Sequence, residues 1–322
     1  MTWQALRPLS ALASHAPQVP RMRVICDNDF SGDPDGLFQL AHHLLSPSVT
    51  IPFIVGSHIH VDDFLDGSRT QADNAAARAL ALIAAMGLSQ APEVLIGVNA
   101  VSDIGSSPSA LTRRIIAEAE RDDTDLPLVY AAGAGLTELA EALRAAPHIA
   151  GRMRLAWIGG PEWEETPLPV PSRGSWEYNF HIDIAATQFV FNDSGIEIWQ
   201  VPRQTYRQVM VSMPELERAL EGAGSLGTFL LDALSDVRHR WPDHMGETFI
   251  LGDNPLVTLT ALMSSFEPDT SSSAYVVRPT PMVTADGTYN PRPGARPMRI
   301  FNEIDTRLTL ADMFAKFARH AA

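Results

Sequence analysis

The stretch VICDNDFSGDPDGLFQLAHHLL, residues 24–45, predicts how the chain begins to fold. Its apolar opening, Val24 to Asp27, indicates a buried strand, and apolar residues at helical spacing from Asp35 to Leu45 indicate a helix. Between them, Gly32 and Pro34 favour a turn over a continuing helix. A strand, a turn rich in aspartates and a helix together predict the first unit of an α/β fold.

The same alternation of strand and helix patterns continues along the chain. Further strands are predicted at residues 51–55, 94–96, 128–131, 155–158 and 196–201, and helices at 74–86, 110–119, 136–145, 184–191, 215–220, 226–239, 255–264 and 308–319. Residues 161–175 indicate a long surface loop, and residues 274–284 with 298–303 a hairpin around Asp286-Gly287. We therefore expect an α/β fold, a mostly parallel open sheet flanked by helices with a Rossmann-like core.

Composition and charge exclude several classes of protein. The 322 residues are 45% hydrophobic with a formal net charge of -14, which repels phosphate backbones, so we expect no nucleic acid partner. Cys26 is the only cysteine and lies in an apolar run, which predicts a buried thiol and no disulfide within the chain. Because no signal peptide or membrane-span pattern is evident, we expect a cytoplasmic protein with no membrane partner. No linker divides the chain, which predicts a single domain over residues 20–322 after an N-terminal extension, residues 1–19.

Four aspartates follow the first predicted strand within a short turn: Asp27, Asp29, Asp33 and Asp35. In open α/β sheets, ligands bind beyond the carboxyl ends of the strands, where this segment lies. Like charges this close repel one another unless a cation or solvent screens them, and calcium takes about six to eight oxygen ligands of this kind. The segment predicts a cation site, although a helix cap by Asp33 or Asp35, or an exposed acidic turn, also explains these residues.

An Asp-x-Asp pair after a first strand also occurs in phosphatases of the haloacid dehalogenase type. There Asp27 would be the nucleophile and Asp29 the acid, and the chemistry requires a lysine in the core of the site. The only lysine is Lys316, in the last predicted helix, so this class is disfavoured. No Gly-x-Ser-x-Gly motif supports a serine hydrolase.

Together with further stretches in the same order along the chain, the acidic segment resembles the inosine/uridine-preferring nucleoside hydrolase family. That family opens with a strand followed by Asp-x-Asp-Pro-Gly-x-Asp-Asp, and its variant branch with a Gly-Asp-Pro-Asp core is closer to residues 27–36. Residues 128–143 resemble the family's strand, Gly-Leu-Thr turn and helix, and residues 156–160 its apolar strand ending in Gly-Gly. Residues 177–183 resemble its Glu-Phe-Asn segment, and residues 252–255 open a helix where the family has a His-Asp pair.

The resemblance implies a nucleoside hydrolase-like fold and a calcium-dependent N-ribosyl hydrolase, a glycosidase that converts ribonucleosides to ribose and free base. Calcium would be held by the carboxylates of Asp29, Asp35 and Asp253 and by a main-chain carbonyl near Gly133, with Ala132 as the alternative. Asp29 would also be the general base for the attacking water.

On the substrate side, the resemblance assigns the ribose hydroxyls to Asp33, Glu177 and Asn179, with Asp27 supporting the loop from behind. The departures from the family concern the nucleobase end. Gly252 stands where the family often has a histidine that serves the leaving base. Pro171 replaces an asparagine that precedes the glutamate by six residues in the family.

Several aromatic and histidine side chains are further candidates for the substrate site. His58 and His60 follow the second predicted strand and should face the same crevice, where they contact the sugar, donate a proton or have only a structural or surface role. Trp176 and Tyr178 flank Glu177 and either stack on a base or pack in the core. Base-side groups are also expected among Tyr206, His239 and Trp241, whereas His42, His43 and His148 are expected on the surface.

The leading interpretation is thus an enzyme of purine or pyrimidine salvage with a small-molecule nucleoside as substrate and Ca²⁺ as cofactor. A homo-oligomer, a dimer or tetramer, is expected because the family it resembles often forms one. Two alternatives stay open: a non-catalytic ribose- or nucleoside-binding protein, and a glycosidase of the same fold that acts on another sugar.

Overall fold

The structure, a computed structural model, describes residues 18–163, 177–242, 245–263 and 271–321. Its strands are β1 Met22–Asn28, β2 Val49–Thr50, β3 Phe53–Gly56, β4 Glu93–Ile96, β5 Leu128–Ala132, β6 Met153–Ile158, β7 Glu197–Val201, β8 Met210–Ser212, β9 Thr248–Ile250, β10 Ala274–Pro279, β11 Met282–Val283, β12 Tyr289–Asn290 and β13 Pro297–Glu303. Its helices are α1 Asp35–Leu44, α2 Gln71–Met86, α3 Ala110–Ala119, α4 Thr137–Ala145, α5 Tyr178–Ile182, α6 Ile184–Asn192, α7 Arg203–Tyr206, α8 Met213–Glu221, α9 Gly224–Arg240, α10 Pro255–Thr258 and α11 Thr306–Ala321.

A nine-stranded sheet organises the molecule, in the order β10-β13-β7-β6-β5-β1-β3-β4, with β2 paired to β1. Every pairing is parallel except that of β10 with β13, which is antiparallel. The predicted fold class, a mostly parallel open sheet flanked by helices, is confirmed.

Both faces of the sheet are buried because side chains alternate along each strand. Along β1, Val24 and Cys26 pack into one core, with α1, α2, α8, α9 and α11, whereas Ile25 packs into the other, with α3, α4 and α6. A strand that is buried on both faces has an almost continuous run of apolar residues, and residues 24–26 form such a run. Cys26 is fully buried, as predicted.

The strand order reverses at β1, which places a ligand crevice. From β1 the chain builds β3 and β4 on one side, then crosses to the other side for β5, β6 and β7. At such a topological switch point, the connections that leave the carboxyl ends of neighbouring strands diverge and open a crevice. The turn after β1 and Gly133 after β5 lie at this point.

Three sequence predictions about local structure need correction. The helix expected over residues 255–264 ends at Thr258, where the hydroxyls of Thr258 and Thr260 bind backbone carbonyls and compete with the helical pattern. In place of the single expected hairpin there are two antiparallel pairs: β10 pairs with β13, and the Asp286-Gly287 turn joins β11 to β12. Most of the loop expected over residues 161–175 lies outside the described residues.

The third correction concerns the histidines of α1, which were expected on the surface. His42 and His43 are 0% and 1% exposed because α11 and the segment after α10 cover this helix. His42 Nε2 lies 2.8 Å from Asp312 Oδ2, and His43 Nε2 lies 2.8 Å from Thr260 Oγ1. No helix within the described ranges is long and apolar enough to cross a membrane.

Candidate active site

A cavity of about 330 Å³ opens beyond the carboxyl ends of the central strands. It is lined by Asp29, Gly32, Asp33, Asp35, Asp63, Phe64, Leu65, Gly133, Ile158, Glu177, Tyr178, Asn179, Tyr206, Trp241, Gly252 and Asp253. Among them, Asp29, Asp35 and Asp253 with Gly133 are called the carboxylate end. Phe64, Leu65 and Trp241 are called the aromatic end.

The turn between β1 and α1 brings the aspartates to the cavity. The amide of Gly32 donates to the Asp29 carbonyl at 2.7 Å, and the amide of Asp35 donates to Asp33 Oδ1 at 3.0 Å. Helix α1 begins after Pro34, which has no side chain that can cap it. Asp33 therefore accepts from the amide at the start of the helix, as one alternative proposed, and it also lines the cavity together with Asp29 and Asp35.

Asn28 joins the two distant parts of the carboxylate end. Its Oδ1 accepts from the Asp29 amide at 2.8 Å, and its Nδ2 donates to Asp253 Oδ2 at 2.9 Å. A Cβ atom on Gly133 would lie 2.3 Å from Asn28 Nδ2, so the amide fits only because residue 133 is glycine. The Asp253 amide in turn donates to Asp35 Oδ2 at 3.1 Å. The three carboxylates that the sequence analysis grouped are thus brought together.

Burial and mutual repulsion dominate the electrostatics of the carboxylate end. Burial raises the pKa of Asp29 well above its usual value, and the charges of Asp253 and Asp33 raise it further. The pKa of Asp35 is raised well above its usual value, by burial first and then by Asp253. Burial also raises the pKa of Asp253 to about 7. Carboxylates buried together without a compensating charge favour a bound cation.

The donor atoms fit calcium in kind. They are carboxylate oxygens and the carbonyl of Gly133, which lines the cavity, and hard oxygen donors are what calcium prefers. Within the described residues, no three acidic, histidine or cysteine side chains yet converge closely enough to hold an ion. Asp35 and Asp253 are instead bound to the Asp253 amide and to Asn28, so coordination requires these side chains to turn toward a common centre.

Glu177 and Asn179 are fixed by bonds within the protein. Glu177 caps α5, and its Oε2 accepts from the amides of Gly160 at 2.7 Å and Phe180 at 2.9 Å. Its Oε1 accepts from the Tyr206 hydroxyl at 2.9 Å. The Asn179 amide group donates to the Gly133 carbonyl at 2.9 Å, which leaves its Oδ1 as an acceptor. These contacts hold both side chains at the cavity wall.

At the aromatic end, the rings of Phe64 and Trp241 have centroids 4.2 Å apart. The Tyr178 hydroxyl donates to Asp63 Oδ2 at 2.6 Å. Tyr178 directly follows Glu177 in the sequence, so this bond joins the loop after β3 to the start of α5. Trp241, a base-side candidate, and Tyr178 therefore both line the cavity. Trp176 lies outside the described residues.

The two histidines after β3 are not among the described residues that line the cavity. His58 is only 3% exposed, and burial lowers the pKa of its ring. The ring of His60 has its centroid 6.0 Å from that of Tyr178, which does line the cavity. His239, another base-side candidate, is absent from the described lining, and its Nδ1 lies 2.6 Å from the Ser235 carbonyl oxygen.

Sequence reasoning missed Asn28, Asp63, Phe64 and Leu65. The last three lie a few residues beyond His60, in the loop that leaves the carboxyl end of β3. His58 and His60 therefore lie in the same loop as these lining residues. The position of a residue in an irregular loop does not show which way its side chain faces, so the sequence could not identify the lining residues of this loop.

Three solved structures are similar over nearly the whole chain. A plant nucleoside hydrolase has a TM-score of 0.68 at 17% identity, and a purine-preferring ribonucleoside hydrolase from Gardnerella vaginalis has 0.66 at 17%. An inosine-uridine preferring nucleoside hydrolase from Bacillus anthracis has 0.62 at 15%. Each alignment covers 93% of this chain and 99% of the other.

The chain has the nucleoside hydrolase fold. The resemblance proposed from the sequence is confirmed at this level, and identities of 15–17% carry it no further. No protein-family model matches the chain, and no curated protein matches it in sequence. Within this fold, the cavity occupies the crevice at the strand-order reversal.

Proposed function

We propose that the chain is a calcium-dependent hydrolase that cleaves the N-glycosidic bond of ribonucleosides to give ribose and free base. The observation that carries the proposal is one cavity lined both by the carboxylates of Asp29, Asp35 and Asp253 and by the rings of Phe64 and Trp241. A polar, acidic end suits a polyol and a cation, and an aromatic end suits a planar base. The proposal includes cytoplasmic nucleoside salvage and a homo-oligomer, in line with the resemblance.

The chemistry requires an activated water and stabilisation of positive charge on the sugar, because N-glycosides break through an oxocarbenium-like state. Asp29 is assigned as the base that takes a proton from the attacking water. Asp33 and the free Oδ1 of Asn179 are assigned to ribose hydroxyls. Glu177, already held by several donors, places negative charge near the ring and favours the cationic state.

The proposed metal ligands are Asp29, Asp35, Asp253 and the Gly133 carbonyl. Calcium bound there would orient the water and lower its pKa modestly. The Gly133 carbonyl already accepts one bond from Asn179, and its second lone pair remains for an ion. The residues of this chain thus supply the base, the sugar contacts and the ligands.

A reducing-sugar assay on a panel of ribonucleosides, run with chelator and again with calcium restored, tests the proposal. Wild-type protein should release ribose only with calcium, and Asp29→Ala should keep less than about a tenth of that activity, since loss of one general base typically costs 10²- to 10⁴-fold. The control is Asp125→Asn, which changes an exposed aspartate before the amino end of β5 that is not among the lining residues.

Three outcomes separate the alternatives. Ribose release that is insensitive to chelator would remove calcium from the proposal. Calcium-dependent nucleoside binding without ribose release would instead establish a non-catalytic binding protein. Release of a different sugar from another glycoside, with ribonucleosides inert, would establish a glycosidase of the same fold.

A further inference from the structure

Among the described residues, every charged side chain on the cavity wall is acidic, and these are Asp29, Asp33, Asp35, Asp63, Glu177 and Asp253. The Arg240 guanidinium is close by, but it donates to the Leu65 carbonyl at 2.7 Å and lines the neighbouring cavity. One calcium ion offsets two of these charges. The potential inside the cavity therefore favours a cationic ligand over a neutral or anionic one.

Asp63 lies in the loop that also carries Phe64 and Leu65, and it is not one of the proposed metal ligands. Its Oδ1 accepts from the Leu65 amide at 2.7 Å and its Oδ2 from the Tyr178 hydroxyl at 2.6 Å. Both bonds fix the carboxylate on the wall beside Phe64. A planar ring bound at this end would meet one carboxylate and the faces of aromatic side chains.

That combination recognises an aromatic cation. Ring faces attract a cation through their quadrupole, and a nearby carboxylate adds direct attraction. A neutral nucleoside gains from stacking here but not from the charge. Asp63 thus provides a physical difference between the two kinds of substrate.

We propose that the preferred substrates are N-ribosides of cationic heteroaromatic rings, such as N-ribosyl pyridinium compounds; this rests on the proposed function and names its substrate class. When water attacks C1′, the electron pair of the C1′–N bond returns to the ring nitrogen and cancels its positive charge. One water proton passes to Asp29 and then to solvent. The ring leaves as a neutral molecule, so no acid has to protonate it, in keeping with Gly252 at the position beside Asp253.

The test compares nicotinamide riboside, a permanent pyridinium cation, with uridine and inosine in wild-type protein and in Asp63→Asn. Asparagine keeps an acceptor for the Leu65 amide but removes the charge. We expect kcat/KM for nicotinamide riboside to fall about ten-fold, as for one charge pair in a partly solvated cavity, with a change below about two-fold for the neutral nucleosides. The cationic bond is intrinsically labile, but lability does not depend on residue 63.

Asp62→Asn is the matched control. Asp62 is the adjacent acid of the same loop, is not among the lining residues and has a φ of 59°, which asparagine tolerates. A second readout is binding, measured by tryptophan fluorescence for nicotinamide riboside and for its neutral dihydro form. The cation should bind about ten-fold more tightly to wild-type protein, and Asp63→Asn should remove that preference.

The outcomes distinguish this inference from the proposed function. Equal losses for charged and neutral nucleosides in Asp63→Asn, or equal binding of the cation and its dihydro form, would overturn the inference and leave the hydrolase intact. If no riboside releases ribose, the proposed function fails, and the binding comparison still decides whether the cavity prefers a cationic ring.

Discussion

The two ends of the cavity are built in different ways. The carboxylate end comes from strand ends and is held by buried side-chain bonds, with Asp253 only 4% exposed and Asn28 fully buried. The aromatic end comes from the loop after β3 and the residue after α9, and Phe64 is 51% exposed. Because the charged groups are fixed by buried bonds and the aromatic groups lie on a more exposed loop, substitutions in the loop can change substrate preference without altering the chemistry.

The largest effect is expected where the carboxylate end is tied together, at Asn28. Asn28→Asp has the same shape but replaces the amide donor with an oxygen that faces Asp253 and Gln39 Oε1. Without calcium, the free energy of unfolding should fall by about 2–4 kcal/mol, as for a buried polar group left without its partner. Urea denaturation measures this, and Asn302→Asp, at an exposed position of β13, should change it by less than about 0.5 kcal/mol.

Calcium binding provides a second test of Asn28→Asp. If the carboxylate end is the calcium site, Asn28→Asp should also weaken calcium binding measured by calorimetry, because Asp253 and the Asp29 backbone lose their common tether. Unchanged stability together with unchanged calcium affinity would show that this end is not fixed through Asn28.

A second effect is expected from the buried histidines of α1, His42 and His43. Burial lowers the pKa of His42 from 6.5 to about 4, so between these pH values the unfolded chain binds a proton that the folded protein does not. Stability therefore falls as the pH drops through this window. His42→Gln should reduce the dependence of the free energy of unfolding on pH by about 1.4 kcal/mol per pH unit, which amounts to roughly 2 kcal/mol between pH 6.5 and about pH 5.

His43 adds a slope in the same direction, since burial also lowers its pKa well below the usual value. Some pH dependence should thus remain in His42→Gln. Urea titrations at several pH values measure the slopes, and an unchanged slope would mean that His42 is protonated in the folded protein. His148→Gln, on the surface, is the control.

At the aromatic end, we expect an effect on substrate but little on stability. Trp241→Ala removes the ring that contacts Phe64 and should raise KM about ten-fold, equal to about 1.4 kcal/mol. The free energy of unfolding should change by less than about 1 kcal/mol, because the partner ring is half exposed. A large loss of stability with an unaltered KM would reverse the contrast between the two ends.

The smallest effect is expected at the boundary between the ends, where Tyr206 binds Glu177. Burial and the Glu177 charge raise the pKa of Tyr206 well above its usual value, so its hydroxyl keeps the proton that it donates. Tyr206→Phe removes one of several bonds to Glu177, which should cost about 0.5–1.5 kcal/mol. The loss should be seen in kcat more than in KM, and a higher KM with an unchanged kcat would assign Tyr206 to uniform substrate binding instead.

Much of this contrast could be predicted from the sequence. The central strands and most helices were predicted because each carries a clear period of apolar residues, and the site was predicted at the end of β1 because aspartates follow a buried run there. The grouping of Asp253 with Asp29 depended on the resemblance to a family, since no local pattern links residues so distant in sequence.

What could not be predicted depends on packing between distant segments. His42 and His43 have the spacing of an exposed pair, and only the covering by α11 buries them. Asn28 likewise packs closely against Gly133, and the ring of Phe64 contacts that of Trp241. Both are tertiary contacts, which the periodicity of apolar residues does not encode.

The central claim is that the carboxylate end is a calcium site, and a crystal structure of the protein grown with calcium tests it most directly. We expect one ion in the cavity with carboxylate oxygens of Asp29, Asp35 and Asp253 and the Gly133 carbonyl at about 2.3–2.6 Å. Asp253 should then have exchanged at least one of its present bonds for the ion. A structure at millimolar calcium with no ion in the cavity, or with the ion bound to other residues, would show that the carboxylate end is not the calcium site.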